Sequence, residues 1–204
     1  MDRKLSLIGA SITLAGVLGF AVSMLTGTLW MSYLTSILIA WGFIMMTCGF
    51  YRYGRSDAKV AAICALIFAG MYALCNTVVY FTQLTAVAND SLTGQALKIL
   101  DFREFGLFFS LDLLGYCLMA VSTFFAGLTI KVKDKGDKWL KALLLIHGVF
   151  AVSCFIMPTL GLFSADMEGA TWIGTLILEF WCVYFIPVGV LAYRYFRSRV
   201  GADA

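Results

Sequence analysis

The stretch Val60 to Thr85, VAAICALIFAGMYALCNTVVYFTQLT, contains no Asp, Glu, Lys or Arg. A helix needs about 20 predominantly apolar residues to cross a bilayer, so this stretch is long enough with residues to spare. It also carries a polar stripe, Tyr72, Asn76, Tyr80 and Gln83, at spacings that place the four on one helix face. A lipid-crossing helix with a polar stripe has to turn that stripe toward protein, so it belongs in a bundle.

Working outward from Val60 to Thr85, the chain of 204 residues shows further apolar runs at about residues 5–25, 30–50, 106–130, 139–160 and 172–193. The first follows Met1-Asp2-Arg3-Lys4, yet it exceeds the roughly 7–15 residues of a signal-peptide core and reads as a span. The expected architecture is all-α, one domain, an integral bundle of six transmembrane helices. Hydrophobic residues make up 61% of the chain and charged residues 13%, against about 25% charged in a soluble domain. Lipid is therefore the first partner the composition implies. Nucleic acid is excluded as a partner, because no soluble basic domain exists to hold it.

Charge placement orients the bundle. With the N-terminus in the cytoplasm and the spans alternating, only Lys98 and Arg103 of the 15 Lys and Arg lie outside. The positive-inside rule then predicts cytoplasmic N- and C-termini. Trp30 and Tyr33 mark one interface of the second span, and Tyr51 and Tyr53, mixed with Arg52 and Arg55, mark the other. Small residues recur along the first span (Gly9, Thr13, Gly16, Gly19, Ser23), which lets a neighbouring backbone approach closely. The long outer segment, about 91–103, has Leu92, Ala96, Ile99 and Leu100 at amphipathic spacing, with Asn89, Asp90 and Ser91 as capping side chains. It reads either as a short helix on the membrane surface or as a lid over a pocket.

Two further patterns stand out. Trp30…Tyr51-Arg52-Tyr53-Gly54-Arg55-Ser56 matches Trp172…Tyr193-Arg194-Tyr195-Phe196-Arg197-Ser198 without gaps. This is either a parallel repeat or convergence, since both ends need aromatic anchors and cytoplasmic Arg. The six cysteines (48, 64, 75, 117, 154 and 182) all fall within spans, and none forms a Cys-x-x-Cys pair. They read as small apolar fillers.

Three acid or imidazole side chains lie within spans: Asp112, His147 and Glu179. Charged groups are costly in the membrane and turn inward toward the bundle or a cavity. At ~1.5 Å of rise per residue, Asn76, Asp112 and Glu179 lie about 9–13 Å below the outer ends of their spans. The candidate site is an outward-facing polar pocket of spans 3, 4 and 6. Asp112 and Glu179 form its acidic walls, and Asn76, Gln83, Tyr80 and Tyr116 supply hydrogen bonds. Such a pocket favours a small polar or cationic solute, or holds a proton. Pro187, eight residues after Glu179, removes a backbone donor and suits either a gating bend or a static kink. In the structural alternative the same polar groups only lock helices together, in a non-catalytic partner subunit or scaffold. His147 reads as a packing residue.

Enzyme motifs are absent. There is no His-Glu-x-x-His, no Gly-x-Ser-x-Gly and no glycine-rich phosphate loop. No catalytic residue, metal site or cofactor is assigned, and an enzyme using Asp112 and Glu179 as acid and base ranks third.

Leu111-Asp112-Leu113-Leu114-Gly115-Tyr116, followed by Met119 and Ser122-Thr123-Phe124-Phe125-Ala126-Gly127, resembles a pattern in small six-helix bacterial inner-membrane proteins without an assigned activity. Tyr80-Phe81-Thr82-Gln83-Leu84-Thr85 is similar in flavour. The resemblance implies a multi-pass protein of the bacterial inner (plasma) membrane and carries no mechanism. The sequence thus leads to binding, transport or sensing of a small polar or cationic solute, in a chain acting alone, as a homo-oligomer or with a partner membrane protein.

Overall fold

A computed structural model describes residues 1–89, 92–161 and 170–199. The helices are α1 (Asp2–Thr26), α2 (Leu29–Tyr53), α3 (Lys59–Thr82), α4 (Gly94–Leu100), α5 (Leu107–Thr129), α6 (Lys135–His147), α7 (Val149–Thr159) and α8 (Ala170–Arg197). Among the described residues six helical stretches are long and apolar enough to cross a membrane, with α6 and α7 together forming the fifth. The chain is an all-α, multi-pass membrane protein. Asp90, Ser91, Asp166 and Glu168 lie outside the described residues.

The spans close into a ring in chain order. α1 packs on α2, α2 on α3, α3 on α5, α5 on α6 and α7, and α6 on α8, which returns to α1. One end of the ring carries Met1, Tyr53 and Arg199 and is called here the terminal end. The other, with Gly27, Ala88 and residues 92–106, is the distal end. At the terminal end helices run past their apolar stretches into charged residues, from Asp2 in α1, from Lys135 in α6 and up to Arg197 in α8. Intrahelical hydrogen bonding favours this, because it keeps backbone groups paired while Lys and Arg reach toward water.

The α1–α2 contact depends on absent side chains. A Cβ on Gly9 would sit 2.6 Å from the Met46 nitrogen, and one on Gly42 would sit 2.7 Å from the Thr13 nitrogen. Backbones this close gain dispersion contacts that bulkier residues would forbid. The two helices are joined by a tight turn in which Gly27 adopts φ 68° and the Thr28 N–H reaches the Ser23 carbonyl at 2.9 Å. Glycine fits this left-handed position without a Cβ penalty.

The fifth span is interrupted. Gly148 separates α6 from α7, with the Gly148 N–H bonded to Leu145 and the Ala151 N–H to Gly148. A Cβ there would lie 2.9 Å from that of Phe124. His147, immediately before the break, is buried and fully engaged. Trp181 Nε1–H donates to its Nε2 at 3.0 Å, so its Nδ1 carries the proton and donates to Thr123 Oγ1 at 2.8 Å. Thr123 in turn donates to the Ala120 carbonyl. This chain ties α5, α6 and α8 together and uses the imidazole in its neutral form. α8 continues through Pro187 as one helix.

At the terminal end, α8 fastens the loop between α5 and α6. Arg199 and Asp137 form a buried ion pair at 2.8 Å, and Arg199 also donates to the Lys131 carbonyl. The Tyr195 phenol donates to the Tyr53 carbonyl at 3.0 Å, joining the two aromatic anchors that correspond in the sequence echo.

Candidate functional site

The face of α3 carrying the polar stripe turns toward α5, and Asn76, Tyr80 and Asp112 meet there. Asn76 Nδ2 donates to Asp112 Oδ1 at 3.4 Å, and the Tyr80 phenol donates to Asp112 Oδ2 at 3.3 Å. All three side chains are buried. Tyr116, one turn after Asp112, interacts with Tyr80, Asn76 and Asp112. Ser36 of α2 neighbours the Tyr80 phenol. Sequence reading missed Ser36, because a serine in a span is common and no stripe on α2 singled it out.

Asp112 brings unused acceptor capacity to this group. A carboxylate accepts about four hydrogen bonds, and the two received by Asp112 are longer than the usual N–H···O and O–H···O lengths. Asn76 Oδ1 and Ser36 Oγ are buried and have no hydrogen-bond partner among the described residues. Buried polar atoms are normally paired. Asp112 and Asn76 Oδ1 together make a site that can take a further donor.

The Tyr80 ring has a second role. It helps line a cavity of about 360 Å³ at the distal end. α1 contributes Phe20 and Met24 to its wall, α8 contributes Thr175 and Leu178, and the stretch before α5 contributes Phe102, Arg103 and Phe105. The wall is overwhelmingly apolar. Tyr80 stacks on Tyr33 at 5.5 Å between ring centroids and meets Phe102 at 6.1 Å. Phe105 holds a left-handed backbone at φ 53°, uncommon for a bulky residue, and its ring packs 4.6 Å from Phe109.

Gln83 lies on the same α3 face, in a π-helical turn covering Gln83–Val87, and serves the distal segment instead of Asp112. Its Nε2 donates to the Leu100 carbonyl at 2.8 Å, and its Oε1 accepts from the Phe102 N–H at 3.1 Å. These two bonds tie the stretch between α4 and α5 to the end of α3. Asp101 is buried there and receives the Arg103 backbone N–H at 2.9 Å and guanidinium at 2.8 Å. Burial alone would raise the Asp101 carboxyl. The hydrogen bonds and charge of Arg103 outweigh burial and hold it below its ordinary value.

Glu179 stands apart. It lies on α8, which has no substantial packing on α3, and it belongs neither to the Asp112 group nor to the cavity wall. The polar residues expected together thus separate into Asn76, Tyr80, Asp112 and Tyr116 in one group, Gln83 as an anchor, and Glu179 outside both. Similar depth in the membrane does not imply a shared direction.

Among the described residues no three His, Cys, Asp or Glu side chains come together to hold a metal ion. No family model, curated protein or solved structure matches this chain.

Proposed function

We propose that this multi-pass membrane protein binds, and moves or senses, a small organic cation, with its termini in the cytoplasm and its cavity facing outward. The apolar cavity takes the body of the solute. Its ammonium group displaces the Tyr80 phenol and bonds to Asp112 and to Asn76 Oδ1. The Tyr80 ring then offers its face to the cation, an attraction worth about 0.5–2 kcal/mol. The observation that carries this reading is the double role of Tyr80, whose ring lines the cavity while its hydroxyl holds the buried carboxylate. The unpartnered Asn76 Oδ1 adds support, because a site with surplus acceptors selects a donor. An apolar wall beside a single carboxylate favours an amphiphilic amine over a fully hydrated ion.

The reading is tested by thermal unfolding of the protein in nanodiscs with 2-phenylethylamine and with 2-phenylethanol, which has the same shape and no charge. The amine should stabilise the wild type at concentrations about tenfold or more below those the alcohol needs, the scale of one charge-assisted hydrogen bond. Asp112→Asn should erase the difference while remaining folded. Equal effects of amine and alcohol, or an amine preference that survives Asp112→Asn, would overturn the reading. Loss of stability in Asp112→Asn with no amine effect in the wild type would favour a purely structural role.

A further inference from the structure

Glu179 is half-buried at the edge of the exposed face of α8. It follows Trp172 and Leu176 by seven and three residues and precedes Val183 by four, the spacing of one helix face. Those three side chains are 61%, 57% and 67% exposed. α8 meets the rest of the ring through other residues. A Cβ on Gly189 would lie 3.2 Å from that of Leu14 in α1, and Trp181 and Tyr184 bond to His147 and the Leu143 carbonyl of α6. Glu179 Oε1 is nevertheless shielded and has no hydrogen-bond partner among the described residues. An acid within a span is costly to insert and is retained where something pairs with it.

We infer that the Glu179 face of α8 docks a membrane-spanning helix of another protein that carries one Lys or Arg near the level of Glu179. Charge complementarity selects this occupant. A second copy of this chain brings no cation to that depth, because its Lys and Arg lie at the terminal ends of the spans, apart from Lys98 and Arg103 in the distal segment. Two copies joined through the same face would set carboxyl against carboxyl. Trp172, Leu176 and Val183 supply the apolar contact around the ion pair, and burial between two helices strengthens that pair relative to water. This inference is independent of the Asp112 group.

The test uses the labelled full-length protein in phosphatidylcholine vesicles with a synthetic single-span Leu/Ala helix carrying one Lys about 10 Å from its end, seven residues at ~1.5 Å each. A control helix has Leu in place of Lys. Energy transfer should show the Lys helix associating about tenfold more tightly than the control, the size of an interhelical polar bond in lipid. Glu179→Gln should remove the difference, and Asp112→Asn should leave it intact. Glu179→Leu should unfold at the same temperature as the wild type or a higher one, because the face meets lipid; a marked loss of stability would assign Glu179 to packing within the chain and overturn the inference. Equal association of both helices, a Lys preference that survives Glu179→Gln, or self-association lost in Glu179→Gln while the Lys helix is ignored would overturn it as well.

Discussion

The Tyr80 phenol donates to Asp112 Oδ2 at 3.3 Å from the neighbouring helix, and the same tyrosine ring helps wall the distal cavity. The two residues should therefore be energetically coupled. Tyr80→Phe keeps the ring and removes the donor, and it should cost about 1 kcal/mol of stability, as interhelical polar bonds in lipid do. Once Asp112 is replaced by Asn, Tyr80→Phe should cost measurably less. A double-mutant cycle in thermal unfolding reads this directly. Strict additivity would mean that the bond carries no free energy.

Gln83 fastens the distal segment by two backbone hydrogen bonds, to Leu100 and Phe102. Gln83→Leu removes both and retains bulk. Amide exchange across residues 94–105 should then accelerate by about tenfold or more, one net hydrogen bond being worth ~1 kcal/mol, while exchange in α5 stays unchanged. Unaltered protection of the segment would show that aromatic packing alone holds it.

Acidification should loosen the same segment. The Asp101 carboxyl is held below its ordinary value in the folded protein, so it binds protons more readily when the segment opens. Its contribution is complete above the unfolded value, about 3.9, and is lost as pH falls through the lower folded value. Limited proteolysis of the distal segment should increase across that interval. Asp101→Asn should be more susceptible at neutral pH and show no such step. A step of equal size in the variant would assign it to another group.

Gly42 lets α1 approach α2. Gly42→Val places carbon where the Thr13 nitrogen lies 2.7 Å from the added Cβ, and it should destabilise by about 1–3 kcal/mol. Gly70 is the control, because a Cβ there meets nothing within 4 Å. Gly70→Ala should gain about 0.5–1 kcal/mol from helix propensity. Thermal unfolding in one detergent compares the two, and equal effects would contradict the packing account.

The six spans were legible in the sequence because lipid imposes one simple rule, an uninterrupted apolar run of sufficient length. The stripe Tyr72, Asn76, Tyr80 and Gln83 was legible too, since helical periodicity alone puts those residues on one face. What each of them faces was not. Gln83 and Asn76 share that face, yet Gln83 meets a returning loop and Asn76 meets α5, a difference set by long-range packing. Depth along α8 puts Glu179 at the level of Asp112, but α8 packs on α1 and α6 and has no substantial packing on α3, so Glu179 does not join the Asp112 group. The break at Gly148 was hidden because glycine is common in spans, and the close approach of Phe124 to it is a long-range contact. That Tyr195 bonds to the backbone of Tyr53 was not legible in the echo, because correspondence in sequence does not imply contact.

The central claim is that a cation entering the cavity replaces the Tyr80 phenol at Asp112. Determining the structure of the protein with 2-phenylethylamine bound tests it most directly. The account predicts the ammonium nitrogen about 2.7–2.9 Å from an Asp112 carboxylate oxygen, Asn76 Oδ1 accepting from the same group, and the Tyr80 hydroxyl turned away. Amine bound elsewhere, with the Tyr80–Asp112 hydrogen bond intact, would contradict it.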